Sequence, residues 1–342
     1  MANRKRMWVI VSVLLVAVAL IAPVAPAAAQ GPTEWKYAVI PPVVHVFYTP
    51  FPAALADAEK NLGTGKIEYQ LPQNFVQNEQ NVIIDGLVAK GYNLMAIQPA
   101  DPVAGNAEIT KLVDKGIKVV TFGGCPEQPS KAPFCLATDV YSSAYQGTQA
   151  LIKAMGGKGN IVHLTGQVAD VNSQRRMAAV QRAITETTGV TLLQTIGDID
   201  TAESAQNAVS ALFAAKRGQI NGVICTAYNP SVAVANQMRD LDEKKIQAVG
   251  IDSDKIVLQA ITDGYMAGTM AQNPYGMAYL SVASLQLLSK DYTWKKDAPF
   301  NVDSGTFFVT KEKVATVGQD LSDLTQTMLK DWATKYFDAP TK

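Results

Sequence analysis

Two rhythms of apolar and polar positions alternate along the chain. Short aliphatic and β-branched runs at 36–44, 66–70, 93–98, 117–122, 159–165, 191–196, 220–226 and 246–251 have the length and composition of buried strands. Between them apolar residues recur at helical spacing, as with Leu55, Ala58 and Leu62, or Met177, Val180 and Ile184. Such alternation predicts an α/β fold with parallel sheets covered by helices on both faces. The pattern also repeats on a larger scale. "YAVIPPVVHVFYTPFPAALADA" and "NIVHLTGQVADVNSQRRMAAVQRA" both run strand, polar or aromatic loop, helix. "NLMAIQPADPVAGNAEITKLVDKGIKVVTFGG" and "NGVICTAYNPSVAVANQMRDLDEKKIQAVGID" share the order strand, Pro-containing turn, helix, strand. Two similar doubly wound lobes joined head to tail account for this better than one large sheet. Locally, Thr49 is placed to cap a helix whose first turn tolerates Pro50 and Pro52, and Gly156–Gly157 reads as a helix stop. The segment 320–337, "DLSDLTQTMLKDWATKYF", predicts a helix packed on the second lobe.

The first thirty residues change the picture. Arg4, Lys5 and Arg6 precede the apolar run "MWVIVSVLLVAVALIAPVA" and the small-residue segment "APAAAQ", the pattern of an export signal cleaved near Ala29 or Gln30. No cysteine follows the run to take a lipid anchor, so a soluble protein in the periplasm or cell exterior is expected. About 310 residues remain, enough for two ordinary domains. Removing the leader turns 30 basic against 30 acidic residues into 27 against 30, a net charge of −3. That balance lacks the electrostatic footprint of a nucleic-acid binder. Export permits disulfides, and Cys125 and Cys135, which bracket the Pro-rich loop "CPEQPSKAPFC", are expected to pair, while Cys225 in "NGVICTA" reads as a buried small hydrophobe. The only histidines, His45 and His163, lie at no zinc-like spacing from a cysteine, so neither a metal nor a cofactor is expected.

In open parallel sheets a ligand binds outside the carboxyl ends of the strands. That rule selects the loops 41–51, 98–102, 123–125, 166–175, 226–230, 252–254 and 272–275. The first lobe offers His45, Phe47, Tyr48 and Phe51 there; the second offers Asn172, Gln174, Arg175, Tyr228, Asn229, Asp252 and Gln272. Polyhydroxylated molecules present CH faces that pack on aromatic rings and hydroxyl edges that need paired donors and acceptors. This inventory meets both needs. Phe51, one helical turn beyond the others, reads as packing; Arg176 and Arg182 read as solvated helix-face charges, and His163 as a hydrogen-bonded interior histidine. Catalysis finds little support, because neither a G-x-S-x-G elbow nor a phosphate-cradling loop occurs, and "GGKGN" at 156–160 follows a helix rather than a strand. A His45, Asp252 and Ser253 triad would rest on three common residues without a motif.

Taken in order, "VVHVFYTPFPAALADAEKNLG", "QNVIIDGLVAKGYNLMAIQPADP", "KGIKVVTFGG", "NSQRRMAAVQRAI", "AVGIDSD" and "DGYMAGTMAQNPYGMA" resemble the type I periplasmic solute-binding proteins of ABC importers, in their ribose- and galactose-binding cluster. The resemblance spans about residues 36 to 311. It implies two Rossmann-like lobes, formed by 35–138 with 273–300 and by 139–272 with 301–342, joined by a three-strand hinge over a sugar. It implies further that Phe47 and Tyr48 stack on the ligand, that His45 is a polar contact, and that Asp252 and Gln272 are the strand-end carboxylate and hinge-side amide. Asn172, Gln174 and Arg175 cover the arginine-bearing segment. The ribose-type Asp-Arg after "KVVTF" is replaced by Gly123 and Gly124, followed by Cys125, which removes a charged first-lobe contact and leaves two glycines facing the ligand. A monosaccharide or sugar alcohol delivered to an ABC permease by a monomer is the expected role. A ligand-presenting sensor, a binder of a furanosyl autoinducer and an exported hydrolase are the alternatives; a repressor of this architecture would need a DNA-binding helix-turn-helix where the leader stands.

Overall fold

The computed structural model describes residues 34–341; the expected export signal lies outside them. The chain builds β1 (Tyr37–Ile40), α1 (Phe51–Leu62), β2 (Ile67–Tyr69), α2 (Gln77–Ala89), β3 (Leu94–Ile97), α3 (Pro102–Asp114), β4 (Lys118–Phe122) and β5 (Cys135–Ala137). It then crosses into α4 (Val140–Ala154), β6 (Gly159–Leu164), α5 (Val171–Thr185), β7 (Val190–Ile196), α6 (Ala202–Lys216), β8 (Gly222–Cys225), α7 (Tyr228–Asp240), β9 (Gln247–Ile251), α8 (Lys255–Thr262) and β10 (Gly268–Gln272). The remainder forms α9 (Pro274–Ser289), β11 (Thr293–Trp294), β12 (Asn301–Asp303), β13 (Thr306–Val309), α10 (Val317–Tyr336) and β14 (Phe337–Asp338).

Two six-stranded sheets result, in the orders β12-β5-β4-β3-β1-β2 and β13-β10-β9-β8-β6-β7. Within these two sheets every pairing is parallel except β10 with β13, which is antiparallel; β11 and β14 form a separate antiparallel two-stranded ribbon. Each expected strand run holds one of these strands. The period of two explains why the runs read as continuously apolar. Tyr37 and Val39 face a core shared with α1 and α9, whereas Ala38 and Ile40 face one shared with α2 and α3. In the second sheet Val162 and Leu164 pack toward α6, α7 and α8, and Ile161 toward α4 and α5.

Several local expectations needed correction. The first strand stops at Ile40 rather than 44, because Pro41 and Pro42 have no N–H for the ladder and turn the chain toward a 3₁₀ turn at Val46–Tyr48. Thr49 does not cap α1: its hydroxyl donates to the Val46 carbonyl, 2.7 Å away, and Pro50 occupies the cap position. Strands β5, β10, β12 and β13 went unrecognised, since they are short or contain Gly, Thr, Asn and Gln among few apolar residues. Residues 301–303 pair with β5 of the first sheet rather than joining the second lobe. Cys125 and Cys135 are disulfide-bonded, and Cys225 is a free, buried thiol.

The C-terminal helix also departs from its expected place. Its first turns meet the second sheet, where Val317 and Leu321 pack with Ala271 and Val309. Its last turns enter the first lobe. Trp332, 1% exposed, donates from Nε1 to Ser284 Oγ at 2.8 Å, and its ring sits among Phe134 and Tyr336. α10 is therefore a strap across both lobes, its aromatic end serving as core of the first lobe where the sequence suggested packing on the second. Trp332→Ala should lower the free energy of unfolding by about 3–5 kcal/mol, the usual cost of emptying a buried aromatic site; urea titration followed by circular dichroism measures it.

Candidate functional site

Because β1, β3, β4, β6, β8 and β9 are mutually parallel within their sheets, each sheet gathers its carboxyl-end loops on one edge. Those loops from both lobes line a cavity of about 510 Å³, within the range of small-molecule sites. The chain passes between the two sheets three times beside it: after Ala137, after Gln272 and between Asp303 and Thr306.

The first-lobe wall is aromatic and neutral. His45 caps the 3₁₀ turn, its Nδ1 accepting from the Phe47 N–H at 3.1 Å, which leaves Nε2 to carry the proton of the neutral ring. Its ring meets Tyr228 of the second lobe edge-on, with centroids 6.3 Å apart. Tyr48 is buried, and its hydroxyl donates to Gln98 Oε1 at 2.9 Å while its ring packs edge-to-face against Phe47 and Phe51, each at 5.2 Å. Burial raises the Tyr48 pKa and keeps the hydroxyl a donor. Phe47 is partly exposed and lines the cavity, whereas Phe51 is fully enclosed and belongs to the core.

The second-lobe wall carries the charge. Asp170 caps α5, its Oδ2 accepting from the Ser173 N–H at 2.7 Å. Asp252 stands at the end of β9 with φ +68°, its Oδ1 accepting from Gln272 Nε2 at 2.7 Å. Asp200 lies on the loop after β7. Among them sits Arg176, whose Nε is enclosed yet has no hydrogen-bond partner among the described residues. Burial lowers the Arg176 pKa against the opposing pull of Asp170, Asp252 and Asp200. Burial likewise raises Asp252 and Asp200, partly offset at Asp252 by the Gln272 hydrogen bond and at Asp200 by the charge of Arg176. The site thus holds a guanidinium with an uncommitted Nε beside carboxylates whose second oxygens face the cavity lining.

Of the twelve residues singled out from the sequence, His45, Phe47, Tyr48, Gly123, Asn172, Tyr228, Asp252 and Gln272 line the cavity. Gly124, Gln174, Arg175 and Asn229 do not. Gln174 and Arg175 are exposed on α5, Arg175 lying 3.8 Å from Asp139, and Asn229 spends its Nδ2 on the Asp200 carbonyl at 2.6 Å. Arg176, expected in solvent, replaces them. The helix explains the slip, for its buried stripe runs Ser173, Ala179, Val180, Ala183 and Ile184, and residue 176 lies three after the first and four before Val180. Arg175 points one hundred degrees or so away. Gln98 and Asp170 were also missed, though both lie within the selected loops; Asp200 lies outside them because the β7 loop was not selected. Among the described residues no group of three or more His, Cys, Asp and Glu is placed to hold a metal, and no helix is long and apolar enough to cross a membrane.

Comparison with known proteins adds the following. A model of the periplasmic binding protein domain family matches residues 37–292. A xylitol-binding protein of Mycolicibacterium smegmatis is 24% identical over 269 residues, 75% of this chain and 75% of that protein. The solved structure of a sugar-binding protein of a sugar ABC transporter from Bacillus halodurans superposes with a TM-score of 0.73 at 22% identity, covering 82% of this chain and 99% of the other. An ABC transporter solute-binding protein from Burkholderia graminis, solved in complex with D-arabinose, gives a TM-score of 0.74 at 24% identity over 84% of this chain and 99% of that one. At these identities the structural likeness shows the fold, two lobes with parallel sheets.

The histidine behind this wall has a measurable signature. His163 lies within β6 at 1% exposure, its Nε2 2.8 Å from Thr226 Oγ1, and burial, with Arg176 as the second cause, pushes its pKa down to about 3. An unfolded histidine titrates near 6.5. The unfolded chain therefore takes up the proton first, and stability is lost as pH falls from about 6.5 toward 3. Between pH 7 and pH 5 the loss from this group should reach about 2 kcal/mol. Urea unfolding at the two pH values measures it, and His163→Gln should flatten that part of the slope.

Proposed function

Because the chain belongs to the periplasmic binding protein family, we propose that it captures one monosaccharide or sugar alcohol between its lobes and delivers it to the permease of an ABC importer. It is a binding protein rather than an enzyme, acts as a monomer, and works outside the cytoplasmic membrane after loss of a leader ending near residue 30. The observation that carries this reading is Arg176, whose enclosed Nε has no hydrogen-bond partner among the described residues, in a cavity it lines together with Asp170, Asp200, Asp252 and Phe47.

The chemistry follows from the donor and acceptor inventory. A hydroxyl donates once and accepts twice, so one ligand hydroxyl can accept from Arg176 while donating to a neighbouring carboxylate. Adjacent hydroxyls on one carbon chain repeat the arrangement at the next carboxylate. Each such contact is charge-assisted, and in an enclosed site it replaces water that closure removes. Gln272 already donates to one oxygen of Asp252, leaving the other for ligand. The exposed part of Phe47 offers a surface for the CH side of the same molecule. Closure by hinge rotation brings the His45 and Phe47 wall onto a ligand already held by the second lobe.

The test is calorimetric titration of the mature chain with pentitols, pentoses and hexoses, where heat for none of them overturns the reading. With the best binder, Arg176→Met should weaken affinity by about 2 kcal/mol or more, as expected when buried carboxylates lose a charged neighbour. Arg175→Met should leave it within about twofold, since exposed charges contribute little.

A further inference from the structure

The structure contains glycines of two kinds at left-handed φ. At Gly91 and Gly116, with φ of +83° and +82°, an added Cβ would meet nothing within 4 Å. Their role is conformational. At Gly123, φ +66°, the position is filled: an ideal Cβ would stand 1.9 Å from Gln98 Oε1, 2.5 Å from its Cδ and 3.2 Å from its Nε2. What occupies the volume of a side chain at residue 123 is the amide of a cavity-lining glutamine from the neighbouring strand end.

That amide is oriented. Gln98 is 8% exposed, its backbone N–H donates to the Ile40 carbonyl at 3.1 Å, and its carbonyl accepts from Gln80 Nε2 at 2.7 Å. Oε1 is committed to the Tyr48 hydroxyl at 2.9 Å. Nε2, the remaining end, donates to no acceptor among the described residues and belongs to the cavity lining. First-lobe residues lining the cavity, from Val43 through Gly123, include no Asp, Glu, Lys or Arg; the charged side chains Asp170, Arg176, Asp200 and Asp252 all come from the second lobe.

We infer that Gly123 is a specificity-determining residue: by having no side chain it houses the Gln98 amide, which gives the first-lobe wall an N–H donor that selects a hydrogen-bond-accepting ligand oxygen at that end. This rests on the reading of the cleft as a sugar or polyol site and deepens it. Gly123 acts through Gln98 and is a positioning residue. A side chain there removes the donor by displacing it, and the Tyr48 hydroxyl loses its acceptor in the same step.

A double-mutant cycle tests the inference, using Gly123→Ala, Gln98→Ala and the two together, with the best-binding pentitol or pentose of the wild type as titrant. Gln98→Ala should lose tenfold or more in affinity, Gly123→Ala a comparable factor, and the double variant no more than Gln98→Ala alone. Losses that multiply, or an unchanged affinity in Gly123→Ala, overturn the proposal. Backbone strain from alanine at positive φ is common to both backgrounds and cancels in the cycle. The same cycle read by urea unfolding without ligand separates the two levels of argument. Gly123→Ala should destabilise less when Gln98 is already alanine, and equal destabilisation in both backgrounds overturns the pairing whatever the ligand. A wild-type chain that binds no sugar or polyol overturns the sugar reading itself, and with it the selectivity assigned to Gly123.

Discussion

The arrangement depends on one buried side chain at the crossing between the lobes. Asn273, fully enclosed, donates from Nδ2 to the Ser304 carbonyl at 3.0 Å and to Thr325 Oγ1 at 3.1 Å, and its Oδ1 accepts from the Gly276 N–H at 2.9 Å. These contacts join the second crossing to the third and to the middle of α10. Ser304 in turn donates its N–H to the Ala137 carbonyl, 3.0 Å away at the first crossing. A buried amide left without such partners costs of order 1–3 kcal/mol, so the node holds only if all its partners keep their places. Gly276 is part of that requirement, since a Cβ there would lie 2.3 Å from Asn273 Nδ2.

With the crossings pinned, the two sheets have little choice but to present their carboxyl-end loops to one another. The two walls then differ in kind. One is built from Phe47, Tyr48 and neutral amides, and the other from Arg176 and its carboxylates. Separating them in this way means that apolar contact and charge-assisted hydrogen bonding come from different lobes, so a ligand with one CH-rich side and one hydroxyl-rich side gains most when both lobes meet it. Arg176 is spent on no protein acceptor among the described residues, so its hydrogen bonds are available to a molecule that enters the cavity. Binding energy is thereby concentrated in the closed, occupied state.

The strand–helix rhythm, the disulfide and eight of the cavity residues were legible in the sequence because each depends on local pattern or on the strand-end rule. What escaped depended on tertiary context. Short strands such as β5 and β12 exist because their neighbours hold them, and propensity has little to say about three residues. The choice between Arg175 and Arg176 turns on one hundred degrees of helix rotation. The apolar stripe of α5 contained that answer, but two adjacent arginines after a polar loop invited the alignment with the loop rather than with the helix. Residues 320–337 suggest a helix on the second lobe because they follow that lobe's last strands in sequence; Trp332 and Tyr336 join the first-lobe aromatics only because the helix runs back across the crossings.

The node and the ligand site are adjacent in sequence, and this adjacency gives the cleft its mechanical logic. Gln272, the last residue of β10, donates to the Asp252 carboxylate, and the next residue is Asn273. Asp252 itself is held in left-handed backbone, its N–H donating to the Met270 carbonyl at 2.8 Å and its carbonyl accepting from Thr269 Oγ1 at 2.8 Å. Three residues of β10, Thr269, Met270 and Gln272, thus fix a cavity carboxylate to the strand that leads into the crossing. The crossing lies within one residue of Gln272, which lines the cavity, so the Asp252 carboxylate and the Asn273 node act on the same short stretch of chain. α10 limits the freedom of that stretch from outside: Thr325 ties it to Asn273 while the helix ends are anchored in opposite lobes. Sliding of one sheet across the other would break the Thr325 contact, whereas bending of the chain at residues 137–139, 272–273 and 303–305 would leave it in place.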